Sequence, residues 1–531
     1  MKTFNLFLAS WFLLPSLLLA IAPGEVTRSL PATHYPTGLA WDGTRLWLAD
    51  RDAGYVYAID ASTGARVDSV VCPAFFPTGL AYGDGCLWVS GYHEDVIYQL
   101  DLKTRRVVNT LSAPSSRALG LAWQDGYLWA IDADKDELVK LSIDDGTPIR
   151  SLKAPWSLSN GLAWDGTYLW VSDRYRNRIY MVEPGNGWVI MSLDAPGPYA
   201  FGLAWDGNSL WNVDYETDSL YAIAVSGDQL TVISEPKEAK VRFTCKVRCQ
   251  GPDPIEKVNI YLALPHTELL HQQLLADPVF SPGEPAFVSD RWGQRFAHFV
   301  IEDLAPGETR WVSYEVPVKL QHLQHYIIPE KVGSLDEIPA DLKAKYTVDG
   351  TRLFINDPVI QNAVREAIGD ERNPYWIVRR IFDYIGDKID YERVGGWDTA
   401  PNVLKRGTGS CSEYSFVFMA MARAAGIPTR FCAGVCERGD RASMDDVFHR
   451  WTEVYLPNYG WVPIDASAGD ATWQADAVKA IGSYQNRILI TTIGGGDSEY
   501  IGWSYNYGLT MQYEGRTSVD VSAYADWDPL E

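Results

Sequence analysis

The sequence predicts a multidomain chain: an all-β propeller, an antiparallel β-sandwich, and an α+β domain built around one cysteine-bearing helix. Three observations carry this prediction. A 41-residue repeat fills most of the first half, alternating strands follow to about residue 320, and from residue 357 the periodicity turns helical, leading to "GTGSCSEYSF" at 407–416. At 531 residues the chain exceeds what one hydrophobic core supports, so several units are expected.

The repeat is read from "GLAW" or a near copy, which begins at Gly38, Gly79, Gly120, Gly161 and Gly202. Trp47, Trp88, Trp129, Trp170 and Trp211 keep the same 41-residue step. Between the two marks lies an Asp-Gly turn in each unit, a strong hairpin signal, and two more alternating segments complete four strands per unit. Four strands in 41 residues match a propeller blade. "EVTRSL" at 25–30 resembles the fourth-strand segments and is expected to close the ring with the last unit, since an open ring leaves a sheet edge unpaired. The predicted propeller therefore spans 25–228 with five blades, six if downstream strands contribute. The units resemble bacterial propeller repeats of the YncE-like and NHL-like kind. Asp50, Asp132, Asp173 and Asp214 recur after the second strand. A carboxylate ring around a ligand is one reading; aspartates capping their own turns is the preferred one.

Residues 229–320 read as a sandwich of immunoglobulin-like size, with strands such as "KVRFTCKV" and "TRWVSYEVPV". His266, His271 and His298 fall in it at spacings that suit no metal, so packed or surface histidines are expected. Residues 321–350 lack periodicity and are taken as a linker. The remainder, 351–531, is the chemistry-bearing domain with a C-terminal β extension.

In that domain "DPVIQNAVREAIG" and "NPYWIVRRIFDYIGDKI" each open with an Asx-Pro helix start. Ser410 and Glu413 form a Ser-x-x-Glu capping box, which puts Cys411 on the first helical residue. There, unpaired backbone N–H groups and the helix dipole favour the nucleophilic thiolate. Two strands follow, "FHRWTEVYL" (448–456) and "GWVPIDAS" (460–467), joined by a tight turn. They bring His449 and Asp465 near each other and can present both to the cysteine helix. A nucleophile, a base and a group that orients the base are what covalent acyl chemistry needs.

"GSCSEYSFVFMAMARAAGIPTRFCAGV" followed by "FHRWTEVYLPNYGWVPIDAS" resembles the core of the transglutaminase-like superfamily, a papain-like fold. The motifs span 411–467, and "DRWGQRFAHF" with "LAPGETRWVSYEV" extends the likeness to about 230–500. The resemblance implies Cys411 as nucleophile, His449 as general base and acid, and Asp465 as the residue that holds the imidazole. Arg450 departs from the small residue common after the histidine, and is expected to narrow the cleft or to bind an acidic substrate group. The Cys411 backbone N–H is one oxyanion donor; Trp397 and Tyr391 are candidates for the second. Trp503 and Trp527 are expected to pack rather than line a cleft.

With 46 basic and 68 acidic residues, the net charge of −22 argues against nucleic acid or anionic lipid as partner. The apolar run from Met1 to Ala22 reads as a signal peptide (1–22), with an uncleaved anchor as the alternative, so the chain is expected outside the cytoplasm, secreted or periplasmic. Of the seven cysteines, Cys72 and Cys86 are the more plausible bridge and Cys411 the unpaired one. No pattern calls for a cofactor or metal. The expected function is an exported thiol enzyme that cleaves or transfers acyl groups at protein or peptide amides. Peptidase or amidase is preferred to acyltransferase by analogy, with the propeller binding a protein or glycan. The alternative is a catalytically silent surface protein that binds through the propeller.

Overall fold

The computed structural model describes residues 20–392, 397–437, 444–445 and 448–530. Most of the expected leader, residues 1–19, lies outside them. Among the described residues no helix is long and apolar enough to cross a membrane.

The repeat region folds as five four-stranded antiparallel sheets, the first built from Pro36–Trp41, Leu46–Asp50, Tyr55–Ile59 and Arg66–Val71. The fifth sheet takes its outer strand from the N-terminus: Val26–Pro31 pairs with Ser219–Ile223. The sheets form a propeller-like closed cycle, because the first strand of each lies against the first strand of the next, and Ala200–Trp205 returns to Pro36–Trp41.

The repeated glycines make this approach possible. A Cβ on Gly79 would sit 2.2 Å from Leu119 O, and one on Gly161 would sit 2.0 Å from Phe201 O. The repeated tryptophans are at most 2% exposed. The Asp-Gly turn also serves them, since Asp42, Asp165 and Asp206 each accept the indole N–H five residues on, at 2.7–2.8 Å. Gln124 does so for Trp129 at 2.8 Å, while Gly83 holds that place in the second unit and leaves the Trp88 indole nitrogen unpaired. Asp50, Asp132, Asp173 and Asp214 each accept backbone N–H groups two and three residues ahead, so they cap their own loops.

Cys72 and Cys86 are not bridged. Cys72 is packed among apolar side chains between the first two sheets, where burial pushes its thiol up to about 11. Cys86 lies in another direction, its sulfur accepting from Gln99 Nε2 at 3.5 Å.

Next come two sheets packed face to face. Strands β1 (Thr231–Cys249), β2 (Ile255–Ala263), β3 (Arg295–Leu304) and β4 (Thr309–His325) supply most of the shared core, including Val241, Phe243, Ile260 and Tyr314. His271, stacked on Tyr484, and His325, hydrogen-bonded to the Thr231 hydroxyl at 2.8 Å, are buried, and burial lowers both to about 4. The segment taken as a linker is instead packed down: after β4 come short helical turns and a helix, Ala340–Tyr346, with Ile327, Val332, Ile338 and Tyr346 buried.

Helices α1 (Pro358–Ile368) and α2 (Pro374–Lys388) start where Asp357 and Asn373 accept the N–H groups of Val359 and Tyr375. They pack on α3 (Cys411–Ala424), which is buried along nearly its whole length. Beside α3 stands a four-stranded sheet, in the order β7, β6, β5, β8, made of β5 (Thr429–Cys436), β6 (Phe448–Leu456), β7 (Gly460–Ile464) and β8 (Ile488–Gly494).

The C-terminal strands do not extend this sheet. β9 (Tyr507–Gln512) pairs with β2, and β10 (Val519–Pro529) pairs with β1 along 11 residues. A 19-residue β1 held only by β4 would present a long open edge, and the alternating pattern of β10 covers it. Trp527 and Trp503 are both core residues. Trp292 of "DRWGQ" packs on Gly494 and Gly495 and donates to Gly496 O at 2.7 Å, which fastens the two-sheet unit to the helical domain. The helical domain also meets the fourth sheet of the ring, through a two-pronged Arg176–Asp476 pair at 2.7 and 3.0 Å and through Trp156 against Trp473.

Candidate active site

Cys411 sits where the capping box puts it. Ser410 N–H donates to Glu413 Oε2 at 2.8 Å, and buried Glu413 is neutralised by Arg406 at 2.8 Å. As the first helical residue, Cys411 has a backbone N–H with no acceptor inside the helix. His449 lies on β6, which packs against α3 and pairs with β5 and β7. Asp465 immediately follows β7.

Three side chains come together here. His449 Nε2 meets Asp465 Oδ2 at 2.5 Å, and the imidazole lies close enough to the Cys411 thiol for each to shift the other's ionisation. With Nε2 engaged by the carboxylate, Nδ1 is the nitrogen left for sulfur. Asp465 is held in turn: its Oδ1 accepts the Ser467 hydroxyl at 2.7 Å and the Ser467 and Ala468 N–H groups at 3.2 and 3.3 Å.

The charges favour an ion pair. Burial raises the Cys411 thiol, but the hydrogen bond and charge of His449, the Tyr505 hydroxyl and the Arg450 charge outweigh it and bring the thiol below its ordinary value. Burial pulls His449 down, while the Asp465 charge and hydrogen bond together with Cys411 hold it well above the imidazole range. Asp465 is desolvated too, yet His449, Ser467 and the Ala468 N–H keep it below the usual carboxylate value. The arrangement thus supports a thiolate beside an imidazolium.

Residues 361–466 match the sequence model of the transglutaminase-like superfamily. This segment is a transglutaminase-like domain. A Haemophilus influenzae protein described as uncharacterized is 25% identical over an alignment covering 26% of this chain and 46% of that relative. The chain thus spans about half the length of the curated relative it matches. Among solved structures, a candidate cysteine protease from Cytophaga hutchinsonii is 16% identical, with a TM-score of 0.42, over 57% of this chain and 93% of the other. Glutaminyl cyclase from Myxococcus xanthus is 16% identical, with a TM-score of 0.35, over 38% and 96%.

Within the transglutaminase-like domain, Arg450 differs from expectation. It is fully buried, on the opposite face of β6 from His449, and neither narrows a cleft nor faces solvent. Its guanidinium lies 4.0 Å from the Tyr505 ring centre and 4.7–5.3 Å from those of Trp397, Phe431 and Phe416. Nη2 donates to Trp503 O at 2.5 Å, Nε and Nη1 have no partner, and burial lowers the group to about 10. Period-two alternation from His449 was the signal that predicts this inward face.

Tyr505 was not anticipated. Its hydroxyl is 2.9 Å from Ser412 Oγ and 3.8 Å from Cys411 Sγ, and burial, offset in part by Arg450, keeps the phenol above its ordinary value and so protonated. Of the two suggested oxyanion donors, Trp397 joins this cluster, 6.1 Å from the Tyr505 ring, with a left-handed φ of 46° that is uncommon for a bulky residue. Tyr391 is 46% exposed and lies tilted against Tyr414 instead, ring centres 6.1 Å apart.

Trp451 and Glu453 of the histidine strand are scaffold. Tyr484 accepts from Trp451 Nε1 at 2.8 Å and donates to Glu453 at 2.8 Å, and Glu453 pairs with Arg430. A cavity of about 390 Å³ opens beside His449 and Asp465, bordered also by Trp451 and Tyr484. Among the described residues no cluster of His, Cys, Asp or Glu has the arrangement of a metal site.

Proposed function

We propose that the chain is a thiol enzyme acting on protein or peptide amides, with Cys411 as nucleophile, His449 as base and acid, and Asp465 as the residue that orients the imidazole. The observation that carries this reading is the Asp465–His449 hydrogen bond beside a thiol at a helix N-terminus, with the thiol lowered and the imidazole raised by their mutual charge. The thiolate adds to the amide carbon, and the oxyanion is met by the Cys411 N–H, with Trp397 and the Tyr505 hydroxyl beside it. His449 passes its proton to the leaving amine as the C–N bond breaks, leaving a thioester. Water, deprotonated by His449, then releases a carboxylic acid; an incoming amine would give transamidation instead. We favour hydrolysis, as a peptidase or amidase.

The same reading takes the five sheets as a five-bladed propeller that binds a protein or glycan, and the two-sheet unit as an immunoglobulin-like sandwich. It places the enzyme outside the cytoplasm, supported by the apolar leader. The test is incubation with candidate proteins, with and without a primary amine, comparing wild type with Cys411→Ala by mass spectrometry. Shortened or deamidated products dependent on Cys411 support hydrolysis, and amine adducts support transfer. Identical product lists from both proteins overturn the enzymatic reading.

A further inference from the structure

The ring of five sheets has two unlike ends. At one, the Leu-Ala-Trp or Leu-Ala-Tyr of every first strand encloses a narrow space of about 140 Å³, and the residues repeat unit by unit. At the other lies a cavity of about 370 Å³ whose lining keeps the 41-residue step but not the residue. One series of equivalent positions reads Arg51, Tyr92, Ala133, Arg174, Tyr215; another reads Thr37, Thr78, Leu119, Asn160, Phe201. A residue needed only to hold the ring together would recur, as the glycines and tryptophans do. The symmetry is broken where the cavity is.

The broken positions supply donors. Arg51, Arg117 and Arg174 converge on the cavity in a chain of net charge −22. Each is set against a ring: Arg51 lies 5.1 Å from Phe76, Arg117 5.8 Å from Tyr92, and Arg174 5.5 Å from Tyr199. Among the described residues neither Arg51 nor Arg174 has a carboxylate within ion-pair distance, and Arg174 donates to the Tyr199 hydroxyl at 2.6 Å. Arg117 reaches Asp134 at 3.3 Å but keeps a buried Nε without an acceptor. The recurring aspartates spend Oδ1 on their own loops, as described above, while Asp132 Oδ2 is buried without a hydrogen-bond partner. Asn160, which borders the cavity, is 2% exposed and its Nδ2 is also unpaired.

Part of the wall is aromatic. Tyr199, Phe201 and Tyr215 form a cluster with ring centres 5.4–6.4 Å apart. A site of three planar cations, two of them without a carboxylate partner, beside an aromatic wall is complementary to a group that only accepts hydrogen bonds, attached to an apolar body.

We propose that this end of the ring binds an organic carboxylate bearing an apolar or aromatic body, either a small free acid or the C-terminal end of a peptide. The site is independent of the thiol chemistry and stands whether or not Cys411 is a nucleophile.

The test is calorimetric titration of the full chain carrying Cys411→Ala, so that no probe is turned over. The probes are N-acetylphenylalanine, acetyl-Ala-Ala-Phe, and the C-terminal amide of each. The free acids are expected to bind saturably, and roughly tenfold or more tightly than their amides. Arg51→Gln with Arg174→Gln is expected to remove that preference while circular dichroism stays native. Equal affinity for acid and amide, or no saturable binding by about 10 mM, overturns the proposal without recourse to any cavity variant. Retention of the preference in a folded double variant overturns it as well. Equal binding of the two acids identifies a small carboxylate as sufficient, and tighter binding of the tripeptide identifies a chain end; both support the site.

Discussion

The thiol site and the arginine cavity are built by opposite means. Cys411, His449 and Asp465 come from separate elements of a non-repeating domain, and each stands in a motif that names it. Arg51, Arg117 and Arg174 come from equivalent or neighbouring places in a repeat and stand out only because their counterparts differ. In a unique domain the signal is a pattern that is present, whereas in a repeat it is one that is broken.

The largest effect separates the two sites. Cys411→Ala should lower amide turnover by about 10⁴-fold or more, yet leave carboxylate binding at the ring unchanged; turnover assays and calorimetry on one preparation check both. Loss of both together would mean that the regions act as one site.

Asp465→Asn should come next, lowering kcat/KM by on the order of 10² to 10⁴-fold. The pH profile carries the sign. Cys411 lies below its ordinary value, so activity should fall as pH drops through that lowered pKa and the thiolate is protonated. His449 lies above its ordinary value, so activity should also fall as pH rises through the raised pKa and the imidazolium proton is lost. Without the Asp465 charge the upper limb should move toward neutral pH, and an unmoved limb in the kcat/KM profile contradicts the assigned orienting role.

The repeat itself can be broken in a graded way. Gly161→Ala puts a Cβ 2.0 Å from Phe201 O and should destabilise the ring by about 3 kcal/mol. Gly207→Ala meets nothing within 4 Å and should cost about 1 kcal/mol through its positive φ alone. Chemical denaturation of both variants compares the invariant frame with an exposed turn.

The smallest effect is expected from Arg450→Met. Removing a buried cation beside the thiolate should slow Cys411 alkylation at neutral pH by about three- to tenfold. Stability should hold or rise, because two guanidinium nitrogens lose their unmet need for acceptors. A drop in stability with unchanged alkylation would make Arg450 a packing residue only.

What was legible in the sequence was local or periodic. The glycine and tryptophan steps marked the sheets, and the Ser410–Glu413 box fixed the cysteine on its helix. Tyr505 could not be found this way: it lies 94 residues beyond Cys411, in the stretch expected to add C-terminal strands, and reaches the sulfur only through tertiary packing. The same reason hid the partners of the last strands, since alternation predicts a strand but not which open edge it will meet. Arg450 was misread although its face was available, because its charge argued for solvent more loudly than its register argued for the interior.

The pairing of β10 with β1 bears on the order in which the protein can assemble during synthesis. The helical domain lies between β4 and β9 in the chain, so the two-sheet unit is interrupted by it and lacks two strands until residues 507–529 leave the ribosome. The segment holding Cys411, His449 and Asp465 is made earlier and can collapse around α3 first. A nascent chain halted before residue 519 would carry a complete thiol site beside an unfinished, adhesive sheet edge. Emergence of β10 is then the step that covers the adhesive edge of β1.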